Sequence, residues 1–186
     1  MDLCWIPLGA GGNGYVRLNG RLYEAAKARA ERRRPLALYH TALIVRVPAG
    51  GYLVECAWPS PDANGVARGV VVEGPVFARG LGRFRPFRYE VRCWRDGVIP
   101  DLDEAVGGPQ SVGRDAARAQ RLLELASAVP AFTWGRDENG AGEMWNSNSV
   151  ISWLLDRAGF PMGDLGPPAG GRAPGWRAGL VVAGAP

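Results

Sequence analysis

The sequence has a single histidine, His40, among 186 residues. A catalytic base is therefore His40 or a residue of another type. The three cysteines, Cys4, Cys56 and Cys93, are widely separated and include no C-x-x-C pair. This spacing predicts neither a disulfide framework nor a zinc site, so we expect reduced, buried thiols. The sequence implies no metal and no cofactor.

Long apolar runs are also missing. No stretch reaches the roughly 18 successive apolar residues that a membrane-spanning helix needs, and the N-terminus lacks the basic region and apolar run of a signal peptide. We therefore expect no membrane span and, by default, a cytoplasmic protein.

The length and composition predict one folded domain over residues 1–186. Gly 27 and Pro 15 indicate many loops, but 47% hydrophobic residues and seven Trp argue against disorder. Residues 159–186 are rich in Gly and Pro, and we expect this segment to pack on the domain. The net charge of +4 permits an acidic partner. Nucleic acid is not favoured, because no aromatic residues interleave with the basic run Arg32–Arg34.

The stretch GAGGNG, from Gly9 to Gly14, fits the spacing GxGxxG. A dinucleotide fingerprint needs a helix that opens at this loop and an acidic residue about 20 positions further on. Here Tyr15–Leu18 has the pattern of extended chain, and Asn19 is the expected cap of a helix from about Gly20 to Arg34. A turn or a loop beside a cleft therefore fits this stretch better than a nucleotide site.

The strand pattern predicts an α+β fold with an antiparallel sheet of about five strands. A further helix is expected from Ser111 to about Val129, closed by Pro130. The clearest hairpin joins the second and third of the expected strands. These strands are Leu3–Leu8, Leu38–Val47, Tyr52–Trp58, Val70–Glu73 and Phe87–Trp94.

The segment Glu143–Asp156, EMWNSNSVISWLLD, concentrates polar residues in front of an apolar run with i,i+4 spacing. It predicts a buried helix with Asn146 as N-cap, Ser147 at the first helical position and Gly159 just past the end. The Ser147 hydroxyl would then lie beside unpaired N–H groups at the positive end of the helix dipole, which stabilises an oxyanion. Capping alone also accounts for such a cluster, because Ser and Asn are preferred caps.

Three polar residues are candidates for a catalytic group. His40 opens one hairpin strand, and a symmetric hairpin would place Glu55 opposite Ile44, on the same face as His40. A serine hydroxyl needs a base and usually a third group that orients the base. Ser147, His40 and Glu55 could take these roles, although the sequence does not show that they meet.

Three segments together resemble the circularly permuted papain-like families, which include permuted NlpC-type hydrolases, lecithin:retinol acyltransferase-like proteins and permuted isopeptidases. They are YHTALIV from Tyr39, YLVECAWP from Tyr52 and WNSNSVISWLL from Trp145. The resemblance implies that His40 is the base, Glu55 the orienting residue and Ser147 the residue at the nucleophile position. It implies a hydrolase or acyltransferase that acts on a small-molecule or peptide amide or ester, with an antiparallel sheet packed on the nucleophile helix.

The main departure from these families is Ser147, because they carry Cys at that position. Ser147 could be a serine nucleophile, a relic in a fold that now only binds a ligand or partner, or an engineered Cys replacement. Asn146 and Asn148 would support the site. Trp134, Trp145 and Trp58 would line a cleft, although ordinary aromatic core explains them equally well. The substrate and the oligomeric state do not follow from the sequence.

Overall fold

The computed structural model describes residues 1–10, 14–59, 69–98 and 101–185. Its antiparallel sheet has the order β4-β5-β3-β2-β1-β6, and a short β7 pairs in parallel with the start of β2. The strands are β1 (Asp2–Pro7), β2 (Ala37–Val47), β3 (Gly50–Ala57), β4 (Val70–Pro75), β5 (Arg88–Arg95), β6 (Gln110–Ser111) and β7 (Gly171–Arg172).

Four α-helices accompany the sheet in the described part of the chain. They are α1 (Gly14–Ala30), α2 (Ala116–Leu125), α3 (Ser147–Arg157) and α4 (Trp176–Gly184). The predicted α+β class is confirmed. The sheet has two more strands than expected. These are β6 and β7, which span two residues each and are too short to show the alternation of apolar and polar residues that marks a strand.

Alternation along the strands gives the sheet two faces. Leu3, Leu43 and Val54 belong to the larger core, which also contains the buried residues of α3; we call this side the helix face. Cys4 and Ala42 belong to a smaller cluster on the opposite face, where Leu102 and Ala105 pack against it. None of the helices in the described ranges is long and apolar enough to cross a membrane.

Helix α3 is buried on nearly all sides, because the sheet covers one side and α4 packs against another. The predicted end of α3 is confirmed: Gly159 has φ 85°, and its N–H donates to Asp156 O at 2.8 Å. The Phe160 N–H donates to Leu155 O at 3.0 Å, which completes a Schellman motif. Helix α4 was not predicted, because the Gly and Pro around it indicated irregular chain.

Two helix starts differ from the prediction. Helix α1 begins at Gly14, so Tyr15–Leu18 is helical and Asn19 is not its cap. Helix α2 begins after Asp115, whose carboxylate accepts the N–H groups of Ala117 and Arg118. Ser111, the expected cap of that helix, instead pairs with Asp2 in the sheet. In both cases more than one residue could have served as the start signal, and for α2 the local cap is the Asp115 carboxylate and not the Ser111 hydroxyl.

The Gly9–Gly14 stretch is followed by a helix after all, which removes one argument against a dinucleotide site. The strands on either side of that helix, β1 and β2, are antiparallel neighbours. A dinucleotide-binding unit needs parallel strands joined through its helix. This topology excludes the fingerprint reading; residues 11–13 themselves lie outside the described ranges.

Gly179 sets the distance between α3 and α4. A Cβ at this position would lie 2.0 Å from Ser152 Oγ and 2.1 Å from Ser149 O. We expect Gly179→Ala to push the helices apart and to lower the free energy of unfolding by about 1–3 kcal/mol, as overpacking does. Urea unfolding measures this. Gly184→Ala is the control, because nothing lies within 4 Å of its Cβ position, and equal stability of the two variants would contradict the expectation.

Candidate functional site

The start of α3 is closed by a capping box, and Asn146 is its N-cap as predicted. Asn146 is extended at φ −163°, and its Oδ1 accepts the N–H groups of Asn148 at 2.9 Å and Ser149 at 3.4 Å. In return, Ser149 Oγ accepts the Asn146 N–H at 3.1 Å. Asn146 is thus the N-cap and Ser147 the first helical residue.

The segment that leads into α4 closes over this cap. Asn146 Nδ2 donates to Pro174 O at 2.8 Å, and Ser149 Oγ donates to Gly175 O at 2.7 Å. The Gly175 N–H donates to a carboxylate oxygen of Glu143 at 2.9 Å. Chain segments on both sides of α3 therefore hold its first turn in place.

Asn148 attaches α3 to the sheet. Its Nδ2 donates to Tyr39 O at 3.0 Å and to Pro174 O at 2.9 Å, and its Oδ1 accepts the Thr41 hydroxyl at 3.0 Å. On the edge of β2 away from β1, β3 pairs from Ala42 onward and β7 pairs only with residues 37 and 38. Asn148 occupies the interval between them. The first turn of α3, including Ser147, therefore lies against the part of β2 that carries His40.

His40 contacts an acidic residue that the sequence did not point to. Thr41 faces α3, so alternation places the His40 side chain on the opposite face of the sheet. There His40 Nε2 lies 3.4 Å from Asp101 Oδ2, with side-chain exposures of 24% and 18%. The hydrogen bond with His40 lowers the pKa of Asp101 from its ordinary value. An Nε2–H that donates to Asp101 leaves Nδ1 as the acceptor of the neutral ring.

Glu55 lies on the same face as His40 but has a different partner. The register pairs Glu55 with Ala42, not with Ile44 as a symmetric hairpin predicted, because Gly50 already pairs with Val47 and shortens the turn. Glu55 Oε1 accepts from Arg92 Nη1 at 3.0 Å.

Arg92 is buried and neutralises two carboxylates. Its Nη2 also donates to Glu90 Oε2 at 2.6 Å and to Trp58 O at 2.9 Å. Charges this deeply buried are stable only when paired. The Glu55 carboxylate is therefore committed to Arg92, and the acid that contacts His40 is Asp101.

Ser147 is 5% exposed. Among the described residues its hydroxyl has no hydrogen-bond partner, and it makes no bond to His40. The expected cradle of several free N–H groups is reduced, because the Asn146 side chain takes those of Asn148 and Ser149. In the described part of the chain, the N–H of Ser147 is the one in this first turn that stays free for an oxyanion.

The predicted cleft aromatics separate into two groups. Trp145 is almost fully buried and packs edge-on against Phe132 with centroids 5.2 Å apart, so it is a core residue. Trp134 contacts both Tyr89 and Trp58, at 5.6 Å and 6.1 Å between ring centroids. Trp58 is 41% exposed, so this second group reaches the surface.

The thiols do not replace Ser147 as nucleophiles. Burial raises the pKa of Cys56 well above its usual range, that of Cys4 to about 11, and that of Cys93 as well. A thiolate is the reactive form, so all three are disfavoured. Within the described residues no group of three or more His, Cys, Asp or Glu could hold a metal ion.

Comparison with known proteins gave no match: no family model, no curated protein and no solved structure matches this chain.

We predict that Asp101→Asn makes the stability less dependent on pH in the acid range. The pKa of Asp101 is lower in the folded protein, so its contribution is present above the unfolded value near 3.9 and is lost as the pH falls through the folded value. Urea unfolding from pH 6 to pH 2.5 should show a wild-type advantage of at most about 1 kcal/mol that disappears at the acid end.

Asp103→Asn is the control for this measurement, because Asp103 is an exposed carboxylate in the adjacent turn. An equal loss of acid sensitivity in both variants would contradict a specific His40–Asp101 contact.

Proposed function

We propose that the chain is a hydrolase or acyltransferase of the permuted papain-like type that acts on an amide or ester. Ser147 attacks the carbonyl carbon, His40 is the base and then the acid, and Asp101 orients His40. The observation that supports this most directly is the His40–Asp101 contact of 3.4 Å. His40 lies on β2 between Tyr39 and Thr41, the two residues that bind Asn148 of α3. Asp101 replaces Glu55 in the role that the family resemblance implied.

In the proposed reaction, His40 Nδ1 takes the Ser147 hydroxyl proton as Oγ bonds to the carbonyl carbon. The Ser147 N–H stabilises the oxyanion, as the nucleophile's own N–H does in serine proteases. The bond to the leaving amine or alcohol then breaks, and that group takes the proton from His40. Water or an acceptor alcohol or amine next attacks the acyl-enzyme and gives a proton to His40. The bond between the acyl carbon and Oγ then breaks, and His40 returns that proton to Oγ. Because His40 and α3 lie on opposite faces of the sheet, Oγ and the ring can meet only past the edge of β2 that neither β3 nor β7 covers. Substrate binding must bring them together there, since catalytic hydrogen bonds often form only with substrate.

The alternative function is a binding module of the same fold without catalysis. One observation favours it: the Ser147 residue is 5% exposed and has no hydrogen bond to His40 within the described residues. In that case the polar cluster at the start of α3 is a cap and nothing more. The two functions differ in whether the Ser147 hydroxyl reacts.

Labelling with a fluorophosphonate tests this directly. We expect wild-type protein to be labelled at Ser147 and Ser147→Ala to be unlabelled. Asp101→Asn should slow labelling at least about tenfold, because an orienting acid holds the correct tautomer of the base. Folded Glu55→Gln protein should be labelled at nearly the wild-type rate, because Glu55 contacts Arg92 and not His40. An unlabelled wild type whose activity on a panel of esters equals that of Ser147→Ala would establish the binding module instead.

Ser147→Cys tests the environment of the position independently of serine reactivity. We expect the introduced thiol to have a pKa below the ordinary value of about 8.5, because it lies at a helix start and, in the proposed site, meets the His40 ring. The rate of iodoacetamide alkylation as a function of pH measures this, with mass spectrometry to locate the label. The buried Cys4 and Cys56 and the partly buried Cys93 are internal controls. An introduced thiol that reacts no faster than they do at pH 7 would contradict the proposed site.

A further inference from the structure

A groove of ≈ 370 Å³ lies between α1 and the adjoining ends of β1 and β2; we call it the α1 groove. Leu8, Leu36 and Leu38 provide apolar lining, and Arg17 and Arg21 line it from α1. Its volume is within the range of small-ligand sites. Neither the capping network of α3 nor the proposed chemistry uses these side chains.

The apolar floor of the groove leads to His40. The Leu8 N–H donates to Leu38 O at 2.9 Å, which joins the two strand ends. Leu38 precedes His40 by two residues on β2, so the two side chains share a face and are about 6.6 Å apart along the strand. A ligand lying on Leu38 is therefore next to the proposed base.

The α1 wall of the groove carries uncompensated positive charge. Arg17 and Arg21 are exposed and one helical turn apart, which is about 6 Å along the axis. In the described ranges neither guanidinium has a salt-bridge partner, whereas Arg33 and Arg172 on the same side of the molecule are paired with Glu24 and Glu31.

Glu24 lines the same groove and is buried. Its Oε1 accepts from Arg33 and from the Leu36 N–H at 2.9 Å, so Arg33 balances its charge. Its Oε2 is buried and has no hydrogen-bond donor; Arg172 Nη1 is 3.8 Å away. A buried acceptor without a donor is unusual in folded proteins. A backbone N–H of a peptide in the groove is the kind of donor that it lacks.

We propose that the α1 groove binds an extended acidic peptide segment of the substrate, with the pattern acidic–apolar–acidic. Side chains at i and i+2 of an extended chain point the same way and are about 6.6 Å apart, which matches the spacing of Arg17 and Arg21. The apolar side chain between them points the other way, onto the leucines. The inference rests on the proposed function, because the groove places the peptide next to His40. The net charge of +4 supports attraction of an acidic partner.

The test uses fluorescence anisotropy with a fluorescein-labelled peptide, Gly-Glu-Leu-Glu-Gly, and the full chain carrying Ser147→Ala so that no turnover occurs. We expect binding that weakens about tenfold or more when Arg17→Gln and Arg21→Gln are combined, and that weakens with added salt. Arg29→Gln is the matched control, because Arg29 is an exposed arginine of α1 outside the lining of the groove. Peptides with Gln in place of both Glu, or Ser in place of Leu, should each bind more weakly.

Three results would overturn the inference: no binding of the peptide, equal binding by the Arg17 and Arg21 variant, or equal binding of the Gln-containing peptide. Displacement by decanoate at the affinity of the peptide would assign the groove to fatty carboxylates and overturn it as well. Peptide binding without fluorophosphonate labelling would reject the proposed chemistry and would still support peptide binding by the α1 groove. Labelling without peptide binding would reject only the proposal that the α1 groove binds an acidic peptide.

Discussion

The Asn148 carboxamide is the contact on which the rest of this site depends. It is 2% exposed and joins β2, α3 and the segment before α4 through hydrogen bonds to Tyr39, Thr41 and Pro174. Each buried group left without its partner would cost about 1–3 kcal/mol, so the position of α3 along β2 is strongly determined. That position places the first turn of α3, which begins at Ser147, against residues 39–41 of β2.

The opposite face of the sheet depends on charge pairing. Arg92 is buried between Glu55 and Glu90, and His40 contacts Asp101 on the same face. Removing one member of a buried pair leaves a charge without compensation, which costs far more than a surface pair gains. Glu55 and Asp101 therefore have different partners on this face: Glu55 balances a buried charge, whereas Asp101 contacts a partly exposed imidazole.

Features determined by local chemistry were predictable from the sequence. The start and end of α3 follow from Asn146 and Gly159, and the hairpin of β2 and β3 follows from its apolar run and glycines. Features set by distant packing were not. Asp101 lies in a turn, which has no periodic pattern. Helix α4 packs against α3 although its segment is rich in Gly and Pro. The register of Glu55 depends on where β2 and β3 begin to pair at their turn. The catalytic role of Ser147 stays a prediction.

The closure of Pro174 and Gly175 over the start of α3 has a consequence for biosynthesis. A ribosome releases the chain N-terminal end first, so β2 and the α3 segment emerge before the carbonyl groups of Pro174 and Gly175 that accept from Asn146, Asn148 and Ser149. Until then these donors lack their acceptors in the segment before α4, and Asn148 has only Tyr39 O on the sheet. The first turn of α3 can therefore be fixed in place only after Pro174 and Gly175 have been synthesised, and a nascent chain that stalls before Pro174 carries Ser147 without these hydrogen bonds.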